Sequence, residues 1–513
     1  MKQAYKSAAT FVLSLMAGLA FVVFLSVDAG LGQAAQGRPN IVFVLTDDQM
    51  PGTENRMTAL QRDVVREGTK FTNMTSTFPL CCPGRATLLR GQYVHNTGIY
   101  GNSPPAGGWK KFKARDLHRS TFATWLDDAG YQTGHFGKVL NNYREEGKGS
   151  IPSGWDRWYA WNGVDMGWTS VNDQGKEKPL DRQEADSLVA DEALGFLDSR
   201  LRGPSGPVLA YVNFGAMHQP YAHAKVDDKK FTGVNVPRTP AFNEKDVRDK
   251  PSYVRKQPRL SKKKVSRLDQ DYRNGLRSLM RVDRFIADAT DLLRRRGELS
   301  NTYFVFYTDN GAHFGQHRFE HGKLQPYEED VNFPLIVRGP GIPRGVVNTE
   351  LVGNHDIAPT IAEMARRPDD PDGTPEVPSF VDGRSFLELA KDPTTTPWPR
   401  TAILSEREVD EKPPNRWDML RMKDEEGVKV YTRHQTGPGD GDNEYYDLSL
   451  DPYQLHNALG AADTDYPAPD TATLAHYEGR LDDLYGCGVP LAGRPSTCQE
   501  HENAPLLPGG GAP

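Results

Sequence analysis

The residues best suited to chemistry lie in one short segment, Leu80-Cys81-Cys82-Pro83-Gly84-Arg85-Ala86-Thr87-Leu88-Leu89-Arg90-Gly91. Pro83 suits the first turn of a helix and Ala86 to Leu89 continue it, so Cys81 falls at a helix N-terminus. Free N–H groups and the helix dipole favour an anion there, and Arg85, one turn along, adds a fixed positive charge facing the same spot. A disulfide between the neighbours Cys81 and Cys82 is strained by geometry, so the pair needs another explanation. A buried Cys pair on an ordinary amphipathic helix is the plain alternative, and the Cys-x-Pro-x-Arg spacing argues against it. Two further pairs, Asp47-Asp48 and Asp309-Asn310, each follow an apolar run. Oxygen-only ligands of this kind suit one hard cation, Ca²⁺ or Mg²⁺, rather than zinc. A single Asp-Asp pair reads as a helix cap or solvated loop, whereas two pairs at corresponding strand ends favour the cation.

These residues need elements to hold them. Asn40 to Leu45 is a continuous apolar run that reads as a buried parallel strand with Asp47 and Asp48 at its C-terminal end. Val208 to Phe214 repeats the form and leads to His218, and Thr302 to Thr308 leads to Asp309. Pro334 to Val337 reads as another strand. Between them lie helical stripes of Phe122, Trp125, Leu126 and Ala129, of Leu188, Ala193, Phe196 and Leu197, and of Tyr272, Leu276, Leu279, Val282 and Ile286. Alternating strands and helices imply an α/β fold with a mainly parallel sheet covered on both faces, whose sites form beyond the strands' C-terminal ends. Past a Pro/Asp-rich stretch at 366–378, short strands and a stripe of Leu474, Tyr477, Leu481 and Leu484 suggest a smaller α+β domain. The expected organisation is a leader over 1–36, a large domain over 37–385, the smaller one over 386–500, and a disordered Pro/Gly-rich tail over 501–513.

Composition bounds the partners. The chain has 513 residues, 37% hydrophobic and 25% charged, with a formal net charge of −6. That balance suits a soluble globular protein and gives no footprint for nucleic acid. Lys2 and Lys6 precede an uncharged stretch from Ser7 to Val27, and Gly32 and Ala34 are placed like a cleavage site, the order of a secretory signal peptide. An uncleaved anchor is the alternative, and only then is a membrane a partner; either way the folded part is expected outside the cytoplasm. Of the four cysteines, Cys487 and Cys498 lie close enough in sequence to bridge in an oxidising compartment.

The Cys81 segment resembles the signature of the sulfatase family, Cys-x-Pro-Ser/Ala-Arg followed by a Leu-rich helix ending in Gly; Gly84 stands where Ser or Ala is usual. The resemblance runs from about Arg38 to at least Asn457. Arg38 to Asp48 is similar to the family's opening strand with two metal ligands, and Gly130 to Lys138 to the segment bearing a sulfate-binding Lys. His218, in Met-His-Gln-Pro, matches the catalytic His. Thr308-Asp-Asn-Gly matches the second metal pair, Lys323 the second sulfate-contacting Lys, and Glu444 to Pro452 a motif of the C-terminal domain. Cys-Cys-Pro, Tyr93-Val-His-Asn96, Gly137-Lys-Val-Leu-Asn141 and Tyr272-Arg273 before Val282-Asp283 point to the N-acetylglucosamine-6-sulfatase and heparan 6-O-sulfatase branch. Many arylsulfatases carry His two residues after the sulfate-binding Lys, where this chain has Leu140.

The resemblance implies an alkaline-phosphatase-like sandwich and hydrolysis of a sugar sulfate of the glucosamine 6-sulfate type. It implies oxidation of Cys81 to formylglycine by a formylglycine-generating enzyme. Asp47, Asp48, Asp309, Asn310 and the modified residue 81 would hold Ca²⁺ or Mg²⁺. Asp309 would activate the attacking hydroxyl, His218 and Lys323 would serve the leaving oxygen, and Arg85, Lys138 and the cation would hold the charged oxygens. Three other readings compete: a broad arylsulfatase, a phosphoesterase or phosphonate hydrolase of the same superfamily, and a silent sulfatase-like glycan-binding protein. His95, His135, His313, His317, His321 and His355 read as structural or solvated, with His313 nearest to a supporting role. The basic stretch from Lys245 to Arg267 reads as a solvated face rather than a glycan contact.

Overall fold

The computed structural model describes residues 37–144, 151–163, 169–203, 206–366, 375–408, 416–435, 442–460, 465–488 and 496–506. The expected leader lies outside them. In chain order the strands are β1 (Asn40–Thr46), β2 (Thr69–Thr75), β3 (Gln132–Gly137), β4 (Arg157–Asn162), β5 (Ser170–Asp173), β6 (Lys176–Pro179), β7 (Val208–Asn213) and β8 (Thr302–Thr308). There follow β9 (His313–Phe314), β10 (His321–Gly322), β11 (Leu335–Arg338), β12 (Val346–Gly353), β13 (Ala402–Arg407), β14 (Trp417–Lys423), β15 (Val428–His434) and β16 (Glu444–Asp447). Ten of them form one mixed sheet in the order β12-β2-β11-β8-β1-β7-β3-β4-β5-β6.

The apolar run Ile41 to Leu45 makes β1 a central strand with every residue buried. Each such side chain contributes roughly 1.5–3 kcal/mol by leaving water, so the run is stable only when covered on both faces. The main helices are α1 (Cys81–Arg90), α2 (Phe122–Asp128), α3 (Ala185–Arg200), α4 (Lys262–Arg296), α5 (Ile357–Met364), α6 (Thr471–Gly486) and α7 (Cys498–Glu502). Helices α3 and α4 pack on each other, and α3 also packs on β3; α1, α2 and α5 form a second group. The long α4 begins ten residues before the Tyr272 stripe. Strand β11 differs from the parallel expectation, running antiparallel to both β2 and β8.

Register decides where the chemistry falls. Strands β8, β1, β7 and β3 are neighbours, and all three pairings between them are parallel. Thr46 lies opposite Thr308, Leu45 opposite Asn213, and Gly137 opposite Asn213. Four strands therefore end at one level, and the residues just past them emerge side by side.

The C-terminal part is a four-stranded antiparallel sheet, β13-β14-β15-β16. Helix α6 shares an apolar cluster with it through Leu420, Tyr445, Tyr477, Leu481 and Leu484. Cys487 and Cys498 are bridged. Phe386, Leu387, Leu389 and Ala390 belong to the main core, and the second sheet begins at Ala402. Glu502, which falls within the tail expected from 501, is fully buried in an ion-pair cluster with Arg400 and His355. Residues 507–513 of that tail lie outside the described residues. Among the described residues, no helix is long and apolar enough to cross a membrane.

Candidate active site

The ends of the four strands converge on the start of α1. Asp47 and Asp48 follow β1, Asp309 and Asn310 follow β8, and Lys138 follows β3; all five are at most 3% exposed. His218 lies on the loop after β7, and Lys323 directly follows the β9–β10 hairpin. Helix α1 presents Cys81 at its first position. No side chain caps this helix from its own N-cap residue Leu80; Asn102 from the next loop accepts from the Cys82 N–H at 3.0 Å instead. That bond satisfies one of the helix's orphan donors and sets where residue 81 sits.

All nine residues singled out from the sequence meet here. Arg85 donates through Nε to Asp309 Oδ2 (2.8 Å), and through Nη1 to the Lys138 carbonyl (3.0 Å) and Asn213 Oδ1 (3.1 Å). The Asp48 N–H donates to Asp309 Oδ1 at 3.2 Å, and Asn310 Nδ2 donates to Asp48 Oδ1 at 2.7 Å. Lys138 donates to Asp47, and Lys323 to both Asp48 and Cys81 Sγ. Cys81 Sγ lies 3.4 Å from Asp47 Oδ1 and 3.8 Å from Asp48 Oδ1. His218 Nδ1 bonds the Gln219 carbonyl at 2.8 Å, and Nε2 lies 3.4 Å from Asp48 Oδ2.

Burial and charge act against each other throughout. Burial alone would raise the Asp47 carboxyl, but Lys138 and His218 outweigh it and hold the group down at about 2. Burial likewise opposes ionisation of Asp48, and Lys323 pulls that carboxyl lower still. Burial would weaken the charge on Lys138 and Lys323, yet Asp47 raises the first and Asp48 raises the second well above the ordinary lysine value. The Cys81 thiol is pushed well above its ordinary value by burial first and then by Asp47. An unmodified Cys81 is therefore a neutral thiol and a poor nucleophile.

The donor set fits a hard divalent cation. Asp47, Asp48, Cys81 and His218 present ligand atoms within 4.8 Å of one another. Asn310 Oδ1 is buried without a hydrogen-bond partner among the described residues, which is the state of an oxygen built for a ligand. Three carboxylates here face three fixed cations, Arg85, Lys138 and Lys323. The site is near neutral as it stands, and a divalent cation leaves a positive surplus for an anion. Arg85 Nη2 is also buried without a hydrogen-bond partner among the described residues, 3.9 Å from Asp47 Oδ2.

The remaining histidines fall as expected, with some additions. His135 is buried against Trp155, Trp158 and Tyr211, and His355 bonds Glu502. His95 pairs with Glu406, and His317 pairs with Glu244 while stacking on Tyr327. His313 pairs with Asp330 at 2.8 Å within the hairpin that precedes Lys323. His321 Nδ1 meets Gln219 at 3.3 Å, linking that hairpin to the His218 loop. Sequence reasoning missed Asn102, Asn213 and Asp330. Asn213 leaves one signal, a lone amide inside an apolar strand, and Asn102 leaves none.

Fold and site together define an α/β sandwich protein that gathers carboxylates, fixed cations and a helix N-terminus at the ends of parallel strands. The family model described as Sulfatase matches residues 39–366, and the chain belongs to the sulfatase family. It is 34% identical over 361 residues to an extracellular sulfatase Sulf-1 homologue of Caenorhabditis elegans, covering 68% of this chain and 49% of that protein. It is 32% identical over 392 residues to the N-acetylglucosamine-6-sulfatase of Capra hircus, covering 74% and 68% respectively. The chain thus spans about half of the nematode protein. A solved structure of a protein in complex with its substrate D-glucosamine-2-N,6-O-disulfate shares the fold, with a TM-score of 0.67 at 22% identity over 87% of this chain and 97% of that one.

Proposed function

We propose that this protein is an exported hydrolase that removes sulfate from sugar alcohols, glucosamine 6-sulfates in particular. It would use residue 81 as formylglycine beside one Ca²⁺ or Mg²⁺. One observation carries the reading. Cys81 stands at a helix start between the Asp47 and Asp48 carboxylates and the Lys323 ammonium, next to an Asn310 oxygen with no partner among the described residues. Converted to formylglycine and hydrated by water adding to its aldehyde, the side chain would offer a hydroxyl as nucleophile, and Asp47, Asp48, Asp309 and Asn310 would hold a divalent cation that lowers the pKa of that hydroxyl.

The chain's own residues do the rest. Arg85 Nη2, with no hydrogen-bond partner among the described residues, is left over for a sulfate oxygen, and the ammonium groups of Lys138 and Lys323 hold further negative charge as it shifts. Donors preset in a buried site stabilise developing charge without reorganising when the bond breaks. His218, on the more open side of the site, is the general acid that gives a proton from Nε2 to the departing sugar oxygen. A two-zinc phosphoesterase needs several His ligands, and His218 is the one histidine within this ligand cluster among the described residues.

The test is sulfate release by the matured, Ca²⁺-loaded protein. Turnover of N-acetylglucosamine 6-sulfate well above that of the corresponding phosphate ester is expected. Failure to act on any 6-sulfated amino sugar would overturn the reading.

A further inference from the structure

The surface beside the Lys323 hairpin carries a charge that catalysis does not use. Residues 245–267 hold ten Lys or Arg against two Asp, in a chain whose net charge is −6. Lys250 is buried against Glu244 and Asp249; the other nine cations are exposed. Four of those nine have acidic partners, as in Lys264 with Glu320 at 2.6 Å. Lys245, Lys256, Arg259, Lys262 and Lys263 have none among the described residues. The cost is visible in α4, whose first turn holds Lys262, Lys263 and Lys264 and no acid. Cations at that end oppose the helix dipole.

This patch is stitched to the hairpin that leads into the site. Arg318 donates to the carbonyls of Glu244 (2.8 Å), Lys245 (2.8 Å) and Gln257 (3.2 Å), and the Asn243 N–H donates to the Gly315 carbonyl at 2.8 Å. Glu320, the partner of Lys264, precedes Lys323 by three residues, a reach of at most about 10 Å. Like-charged side chains held together on an acidic protein, one short hairpin from an anion-handling site, form a guide for a longer anion.

We infer that Lys256, Arg259, Lys262 and Lys263 form a binding rim for an anionic polysaccharide, whose repeated sulfate or carboxylate groups engage the rim while one sulfated sugar lies against residue 81. The inference rests on the sugar sulfate reading given above and adds that the natural substrate is polymeric.

The experiment compares the full-length, matured, Ca²⁺-loaded protein with the variant K256Q/R259Q/K262Q/K263Q. Substrates are glucosamine 6-sulfate and a heparin polysaccharide over a salt series. At low salt, kcat/KM on the polymer should fall roughly 10- to 100-fold in the variant. The monosaccharide value should hold within about twofold, because none of the four side chains belongs to the site. The slope of log affinity against log salt should become shallower by about three, from roughly 0.7–0.9 per lost contact. The smaller variant K262Q/K263Q should show about half that change, which guards against a folding defect in the larger one. Unchanged polymer turnover and salt slope would overturn the rim, as would equal losses on both substrates. Tighter wild-type binding to duplex DNA or to anionic lipid vesicles than to heparin would also overturn it. A wild type that binds heparin through these residues but releases no sulfate from either substrate would sink the activity reading and leave the rim standing.

Discussion

Two adjacent cysteines separate cleanly at the scale of single residues. Cys81 meets Asp47, Asp48 and Lys323, whereas Cys82 is fully buried in the main core, and burial pushes its thiol up to about 12. Cys81→Ala is expected to abolish turnover. Cys82→Ala should keep most of it at a stability cost of about 1–2 kcal/mol for the lost packing. Peptide mass spectrometry should find the loss of the thiol at position 81 and an intact Cys82; the reverse pattern would reverse the assignment. His218 gives a second prediction. An aryl leaving group needs little protonation and a sugar alkoxide needs much. His218→Ala should therefore cost roughly tenfold to a thousandfold more on glucosamine 6-sulfate than on an aryl sulfate. Equal losses on both would make His218 a sulfate ligand instead. Leu140 fits that division of labour, being buried in the apolar core where many arylsulfatases carry a histidine.

Helix α1 works as an element only because it lies so close to the end of β8. A Cβ added at Gly84 would meet the Asp309 carbonyl oxygen at 2.8 Å and the Phe78 carbonyl oxygen at 3.4 Å. Gly84→Ala restores the residue usual in the family and gains about 1 kcal/mol of helix propensity, yet it must push α1 away from β8. The expected result is near wild-type stability with kcat down by roughly tenfold to a hundredfold, since small displacements of reacting groups are costly. A wild-type kcat in this variant would show that α1 has room to spare. The same closeness marks the limit of what the residues alone could tell. The paired acids were legible because apolar runs end abruptly in Asp47 and Asp309, and parallel neighbours bring such ends together. Asn102 was not, because it caps α1 from a loop with no periodicity. The antiparallel direction of β11 was also hidden, because a buried four-residue run carries no sign of direction.

The last residues of the described chain tie the molecule together. Glu502 on α7 accepts from Tyr93 Oη (2.6 Å), His355 Nε2 (2.8 Å) and Arg400 Nε (2.8 Å), and Arg400 Nη2 also reaches Asp356 at 2.8 Å. Tyr93 follows α1, Asp356 precedes α5, Arg400 enters β13, and the bridge to Cys487 anchors α7 to the end of α6. A residue read as part of a loose tail therefore joins the large sheet's helices to the second sheet. Arg400 is fully buried, so removing one of its two acids leaves charge without compensation. Glu502→Gln should cost about 3 kcal/mol, the low end for a broken buried pair because Asp356 remains. Burial would raise both carboxyls, but Arg400 outweighs it and holds Asp356 and Glu502 below their ordinary values. Groups with depressed folded pKa values contribute stability above the unfolded value, here about 4, and lose it as pH falls further. Urea midpoints of the wild type should thus drop as pH goes from 5 to 3, and Glu502→Gln should flatten that slope by removing one of the two titrations. An unchanged slope in the variant would mean that acid sensitivity arises elsewhere, most directly at Asp47 and Asp48, and that Glu502 joins the two sheets by packing rather than by charge.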